Sequence, residues 1–83
     1  LSNNKIKTYP NPISKNGKLV VNNGVIPSNK NYNLYDISGR LATFGVINDQ
    51  GIIDFSELNI KSGIYFLSLL NEPSKMNKIV FFD

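Results

Sequence analysis

An all-β fold, an Ig-like antiparallel β-sandwich of about seven strands, is what this 83-residue sequence predicts. Three observations predict it. The apolar residues, 41% of the chain, are mostly Ile, Leu, Val, Phe and Tyr, which suit a pleated, half-buried surface better than a helix. Asn, Gly, Asp, Ser and Pro recur roughly every 8–15 positions and bound short apolar runs, the spacing of a sandwich or barrel. No segment carries a convincing helical pattern: alanine occurs once, at Ala42, and in residues 56–61 Asn59 and the β-branched Ile60 leave a loop or a short 3₁₀ piece.

The strands are expected at residues 6–9, 18–22, 32–37, 40–47, 52–55, 63–70 and 77–82. Alternation assigns their faces. In the second strand Leu19 and Val21 point to the core, and in the third Tyr32 and Leu34 do, which leaves Tyr35 on the outer surface or under a loop. In the sixth, Tyr65, Leu67 and Leu69 share one side; the polar Ser68, with Phe66 and Leu70, marks the other as outward. Asp36-Ile37-Ser38-Gly39 has Asp at the first and Gly at the fourth position of a type I turn and joins the third and fourth strands as a hairpin. Asn48-Asp49-Gln50-Gly51 is built the same way and should join the fourth strand to the fifth. Asn71-Glu72-Pro73-Ser74 closes the last hairpin, with Pro73 removing a donor that could recruit a foreign strand.

Eighty-three residues make one domain, which buries only roughly 60% of what its unfolded chain exposes. Residues 1–5 read as the end of an upstream linker and 6–83 as the domain itself. Without cysteine there is neither a disulfide framework nor a thiolate metal site, so apolar packing and strand ladders must hold the fold. The net charge of +3 comes from basic residues scattered along the chain (Lys5, Lys7, Lys15, Lys18, Lys30, Arg40, Lys61, Lys75 and Lys78), which form no run or stripe, and no nucleic-acid partner is expected. The longest apolar runs fall far short of the ~20 residues a transmembrane helix needs. The first residues do not form a signal peptide. Either the protein is cytosolic or this is a downstream piece of an exported precursor, and the motifs below favour the second.

Catalytic chemistry is hard to assemble from these residues. Histidine and cysteine are absent and no serine has a visible general base, so the common hydrolase nucleophile systems and a zinc site are not expected. The six acids, Asp36, Asp49, Asp54, Glu57, Glu72 and Asp83, mostly fall in turns or at strand ends, where they stabilise turns or stay solvated. A calcium site around Asp49 or Asp54 lacks a loop signature, and no Gly-rich phosphate loop is present. The expectation is no enzyme and no cofactor.

Four elements occur in one order: Tyr9-Pro10-Asn11-Pro12, then Leu34-Tyr35-Asp36-Ile37-Ser38-Gly39-Arg40-Leu41, then Ser62-Gly63-Ile64-Tyr65-Phe66-Leu67, and last Lys78-Ile79-Val80. Each alone has an ordinary structural explanation. Tyr9 and Asn11 precede prolines and so stay extended; Asp36 to Arg40 is a good turn; Gly63 is a strand entry where the backbone needs room. Together, at these separations, they resemble the type A C-terminal sorting domain of the type IX secretion system, over nearly the whole chain. Two departures stand out: Ile60-Lys61-Ser62-Gly63 replaces the family's usual Leu-Pro-x-Gly, and the chain ends Phe81-Phe82-Asp83 instead of in lysines.

The resemblance implies a secretion and sorting signal that directs an exported cargo through the type IX system of a Gram-negative bacterium. It implies transit through the periplasm and delivery to the cell surface or beyond, and removal by a sortase-like peptidase near or before Leu1. The implied partners are the translocon, sortase-like components and the upstream cargo domain of the same polypeptide; the isolated domain is expected to be monomeric. Tyr9, Pro10, Asn11, Pro12, Tyr35, Asp36, Gly39, Arg40, Gly63, Tyr65, Lys78 and Val80 are the candidate recognition residues. The last strand, with Phe81 and Phe82 on opposite faces, is the expected open edge for a partner strand, with at least one ring outside the core. An inert Ig-like spacer and a carbohydrate-binding module are the alternatives, the latter weakened by the lack of Trp and by tyrosines scattered over different strands.

Overall fold

The computed structural model describes residues 7–22, 31–69 and 72–83, and they contain strands and turns but no helix. In chain order the strands are β1 (Lys7–Tyr9), β2 (Ile13–Ser14), β3 (Lys18–Asn22), β4 (Asn31–Asp36), β5 (Leu41–Val46), β6 (Ile52–Asp54), β7 (Gly63–Leu69) and β8 (Glu72–Phe82). They form two sheets, one ordered β1-β3-β6 and the other β2-β8-β7-β4-β5. Each expected strand is present, and β2 is an eighth that two residues of pattern could not announce. β2 runs parallel to β8, the one parallel pair among the described strands.

The inward faces follow the alternation. Leu19, Tyr32, Leu34, Leu67, Leu69, Ile79 and Phe81 are buried, with Val21 and Tyr65 packed against them. Ile13, Ile47, Ile53, Phe55 and Ile60 complete the core between the sheets. Phe81 sits edge-on to both Phe55 and Tyr65, at ring centroid separations of 5.0 and 5.2 Å. Such edge-to-face pairs stabilise beyond the area they bury. Ser68 does face outward, yet it is buried, level with Asn33 on one neighbouring strand and Met76 on the other. The loop at residues 56–61 has no helical turn and sends Ile60 into the core with Leu58 packed against it.

Three expectations need correction. The turn at Asn48 to Gly51 does not close a hairpin, because β5 and β6 belong to different sheets and the chain crosses the sandwich there. β6 pairs instead with β3 and buries Ile53 opposite Leu19, so the core and not the turn selects its partner. The last strand is not an open edge: β7 pairs it along one side, and β2 with Asn11 meets the other. β8 also begins at Glu72, earlier than expected, with a register shift that sets Leu69 opposite Glu72 and Ser68 opposite Met76. Leu70 and Asn71, expected at the end of the sixth strand and the start of that turn, lie outside the described residues, as do the expected strand start at Ile6 and the expected linker at residues 1–5.

Candidate functional site

The Asp36 turn is a network centred on one oxygen. Asp36 Oδ1 accepts the Ser38 hydroxyl at 2.6 Å, the Ser38 N–H at 2.9 Å and the Arg40 N–H at 3.0 Å. Two backbone bonds, Gly39 N–H to Asp36 O and Asp36 N–H to Arg40 O, close the loop at 3.0 and 2.8 Å. The Ser38 hydroxyl first, and then the Arg40 N–H, hold the Asp36 carboxyl below the usual carboxylate range, because each donor favours the ionised form. Gly39 has a φ of 90°, which side-chain-bearing residues rarely adopt. The Asn48 turn copies this design: Asn48 Oδ1 accepts from Gln50 N–H at 2.8 Å and Ile52 N–H at 3.0 Å, with Gly51 at a φ of 76°. The Arg40 side chain lies in solvent, carried by the strand entry that the turn fixes.

Asn11 explains the first motif. Its side chain donates to Lys78 O at 2.8 Å and accepts from Val80 N–H at 3.0 Å, so one amide occupies the edge of β8 as a neighbouring strand would. Pro10 and Pro12 flank it, both following cis peptide bonds, and both rings are exposed, as is Tyr9. Just beyond, β2 pairs with β8 at Ile13 and Phe81, and Lys15 N–H donates to Phe82 O at 2.8 Å. Asn11, Lys78 and Val80, far apart in sequence, are therefore one contact.

Gly63 lies opposite Phe81, with a φ of 144°. Space is not its constraint: a β-carbon there would meet only the Tyr65 ring, at 3.9 Å, so the backbone conformation is what favours glycine. Tyr65 packs its ring on the core and donates its hydroxyl to Lys61 O at 2.9 Å, pinning the preceding loop. Tyr35 lies on the opposite, outward face, level with Phe66 and Leu41, and Phe66 in turn is level with Lys78. The Tyr35 hydroxyl accepts from the Asn33 amide at 3.0 Å.

The registers bring the motifs together. Asp36 is level with Tyr65, Tyr65 with Ile79, and Gly63 with Phe81, while Ile13 is level with Phe81 from the other side. The Asp36 turn, the start of β7, the final residues of β8 and the Pro10 to Pro12 bend thus all lie towards one end of the sandwich. Lys7, level with Asn22, marks the other end. A family model described as the secretion system C-terminal sorting domain matches residues 7–81. The chain belongs to that family. No curated protein and no solved structure matches it.

As a type IX sorting domain, the chain is a signal attached to a cargo that is exported across the outer membrane. Among the described residues no cluster of three or more metal-ligating side chains occurs, and no helix is long and apolar enough to cross a membrane. Of the sorting domain's candidate residues, Asn11, Asp36, Gly39 and Gly63 shape backbone, Tyr65 packs, and Tyr9, Pro10, Pro12, Arg40 and Lys78 present exposed side chains. Sequence patterns missed β2 and the outward apolar residues of β5, Phe44 and Val46, although the absence of charge in residues 41–46 was a usable signal.

Proposed function

We propose that the sorting domain is recognised as a folded body, through the end of the sandwich where its four motifs meet, after transit through the periplasm. A sortase-like peptidase then cuts upstream and releases the cargo from it. The observation that carries this reading is the convergence itself. Residues separated by most of the chain, such as Asn11 and Val80, are in hydrogen-bond contact only once the sheets are assembled. An extended chain would present the same motifs far apart. The domain's own residues need perform no reaction: they supply shape, an exposed guanidinium at Arg40 and an exposed ammonium at Lys78. Tyr35, Val80 and the prolines complete the surface around them.

The test is a fluorescent cargo fused ahead of this chain, expressed in a bacterium carrying the type IX system. Arg40→Ala and Lys78→Ala remove exposed side chains and should leave urea stability within about 0.5 kcal/mol. The expected outcome is cargo held in the periplasm, with the domain still attached, for the variants and not for the parent. Unchanged surface delivery by the double variant would remove this end as the recognised surface. Delivery of parent cargo with the domain uncleaved would remove the peptidase step.

A further inference from the structure

Glycine follows asparagine twice in this chain, at Asn16-Gly17 and at Asn23-Gly24, and the second pair lies outside the described residues. The first lies in the turn from β2 to β3. Gly17 N–H donates to Ser14 O at 2.8 Å, closing a four-residue turn, and Asn16 N–H reaches Ser14 Oγ at 3.4 Å. Two further bonds tie the turn to the ends of β8 and β6: Lys15 N–H to Phe82 O at 2.8 Å and Phe55 N–H to Gly17 O at 3.0 Å. Space favours glycine at position 17, where a β-carbon would stand 3.1 Å from Ser14 O and 3.2 Å from Ile13 Cγ1. Asn16 is exposed, and among the described residues its side-chain amide has no hydrogen-bond partner.

We propose that Asn16 is a site of spontaneous deamidation gated by the fold, which turns a transient opening of the β2–β3 turn into a permanent one. The chemistry needs an unhindered backbone nitrogen, and Gly17 supplies it. On losing its proton that nitrogen attacks Asn16 Cγ, the Cγ–Nδ2 bond breaks, and Nδ2 leaves as ammonia with the proton. Water then opens the five-membered imide at either carbonyl. One product is an aspartyl residue at position 16; the other is isoaspartyl, in which the main chain runs through the side chain and is one carbon longer. The other described asparagines are less suited. Asn11 precedes a proline, which has no N–H; side chains hinder the nitrogens after Asn31, Asn33, Asn59 and Asn77; and the Asn48 amide is held by two N–H groups.

The fold sets the rate. While Ser14 O holds Gly17 N–H, the attacking nitrogen is committed to the turn, so the reaction proceeds from the opened turn and scales with its population. An isoaspartyl product cannot close again in the old register. Its extra main-chain carbon sets the Ser14 and Phe55 bonds to Gly17 out of step, and β2 is released from the end of β8. The motif-bearing end of the sandwich ages in this way without an enzyme, whatever partner meets it.

The experiment incubates the 83-residue chain in warm, mildly alkaline buffer and maps amide-to-acid mass gains by fragmentation. Among the described asparagines Asn16 should convert first, about 10-fold slower or more in the folded chain than in a peptide of residues 14–18, and faster as urea is raised below the unfolding midpoint. The purified isoaspartyl form should lose amide protection at Lys15 and Phe55. Asn16→Asp, which adds the charge without the extra carbon, should keep it, and Asn16→Gln, which would have to close a six-membered imide, should not react. An Asn16 that stays amidated while the peptide converts, even in urea below the midpoint, overturns the proposal. Equal rates in folded chain and peptide overturn it as well, as does an isoaspartyl form with the parent's amide protection.

Discussion

Single carboxylates and amides set the turns of this domain, and two of them differ by little more than an atom. Asp36 and Asn48 each use Oδ1 to accept the N–H groups two and four residues on, and each is followed by a glycine with positive φ. The amide therefore does the geometric work of the carboxylate, and only the ionisable one couples that work to pH. The carboxyl of Asp36 is held low by the Ser38 hydroxyl and the Arg40 N–H, and that of Asp54 by Ser56 in the same manner. A folded pKa below the unfolded value near 3.9 gives stability that is complete above about pH 5 and lost as pH falls through the folded value. Asp36→Asn should consequently keep the turn, as Asn48 does, while making the loss of stability on acidification shallower. Urea midpoints of the parent and variant between about pH 2 and 6 measure it, and the two curves should converge at the acid end. Parallel curves would mean that the Asp36 charge has no part in the turn's stability.

Strands were legible where alternation was long enough to count. Leu19 with Val21, Tyr32 with Leu34, and Leu67 with Leu69 all face the core as their period requires. Pairing was less legible, because a turn's chemistry is local and a strand's partner is not. The Asn48 turn has the composition of a hairpin, yet β6 leaves for the other sheet to bury Ile53 against β3. The same limit hid the place of β8. Its residues suggested an outer strand, whereas the proline-flanked Asn11 returns from the far end of the sequence to meet it. Gly45 is a further case: a β-carbon there would come within 3.2 Å of the Tyr32 ring, so the glycine in an aromatic strand is room for its cross-strand neighbour. Asn11→Ala should cost about 1 kcal/mol in urea unfolding, the lower range for a lost bond pair, since water can replace the amide at this exposed edge. Faster amide exchange at Val80, with little change in β4, would locate the effect at the β8 edge; uniform loss across the sheet would show that Asn11 supports the fold as a whole.

A domain of this size has little stability to spare, about 4–12 kcal/mol at 0.05–0.15 kcal/mol per residue. Phe55 enters from the loop after β6, is fully buried, and meets Phe81 at the point where the motif-bearing end of the sandwich closes. Composition and spacing made the two-layer architecture legible, and the order of the motifs made the sorting-domain resemblance legible. The meeting of those motifs was not, since it depends on registers that link Ile13, Gly63 and Phe81 across the chain. Phe55→Ala alters no exposed motif side chain but should cost about 3–5 kcal/mol through lost burial and the cavity left behind. The variant should lose cooperative unfolding, or melt far below the parent, when followed by circular dichroism. If export requires the assembled end of the sandwich, cargo carrying Phe55→Ala should fail to reach the surface even though Arg40, Lys78 and the prolines are all present. It should recover when the cells are grown cold enough for the variant to fold. Efficient delivery of a domain shown to be unfolded at the same temperature would mean that short linear segments are what the machinery recognises.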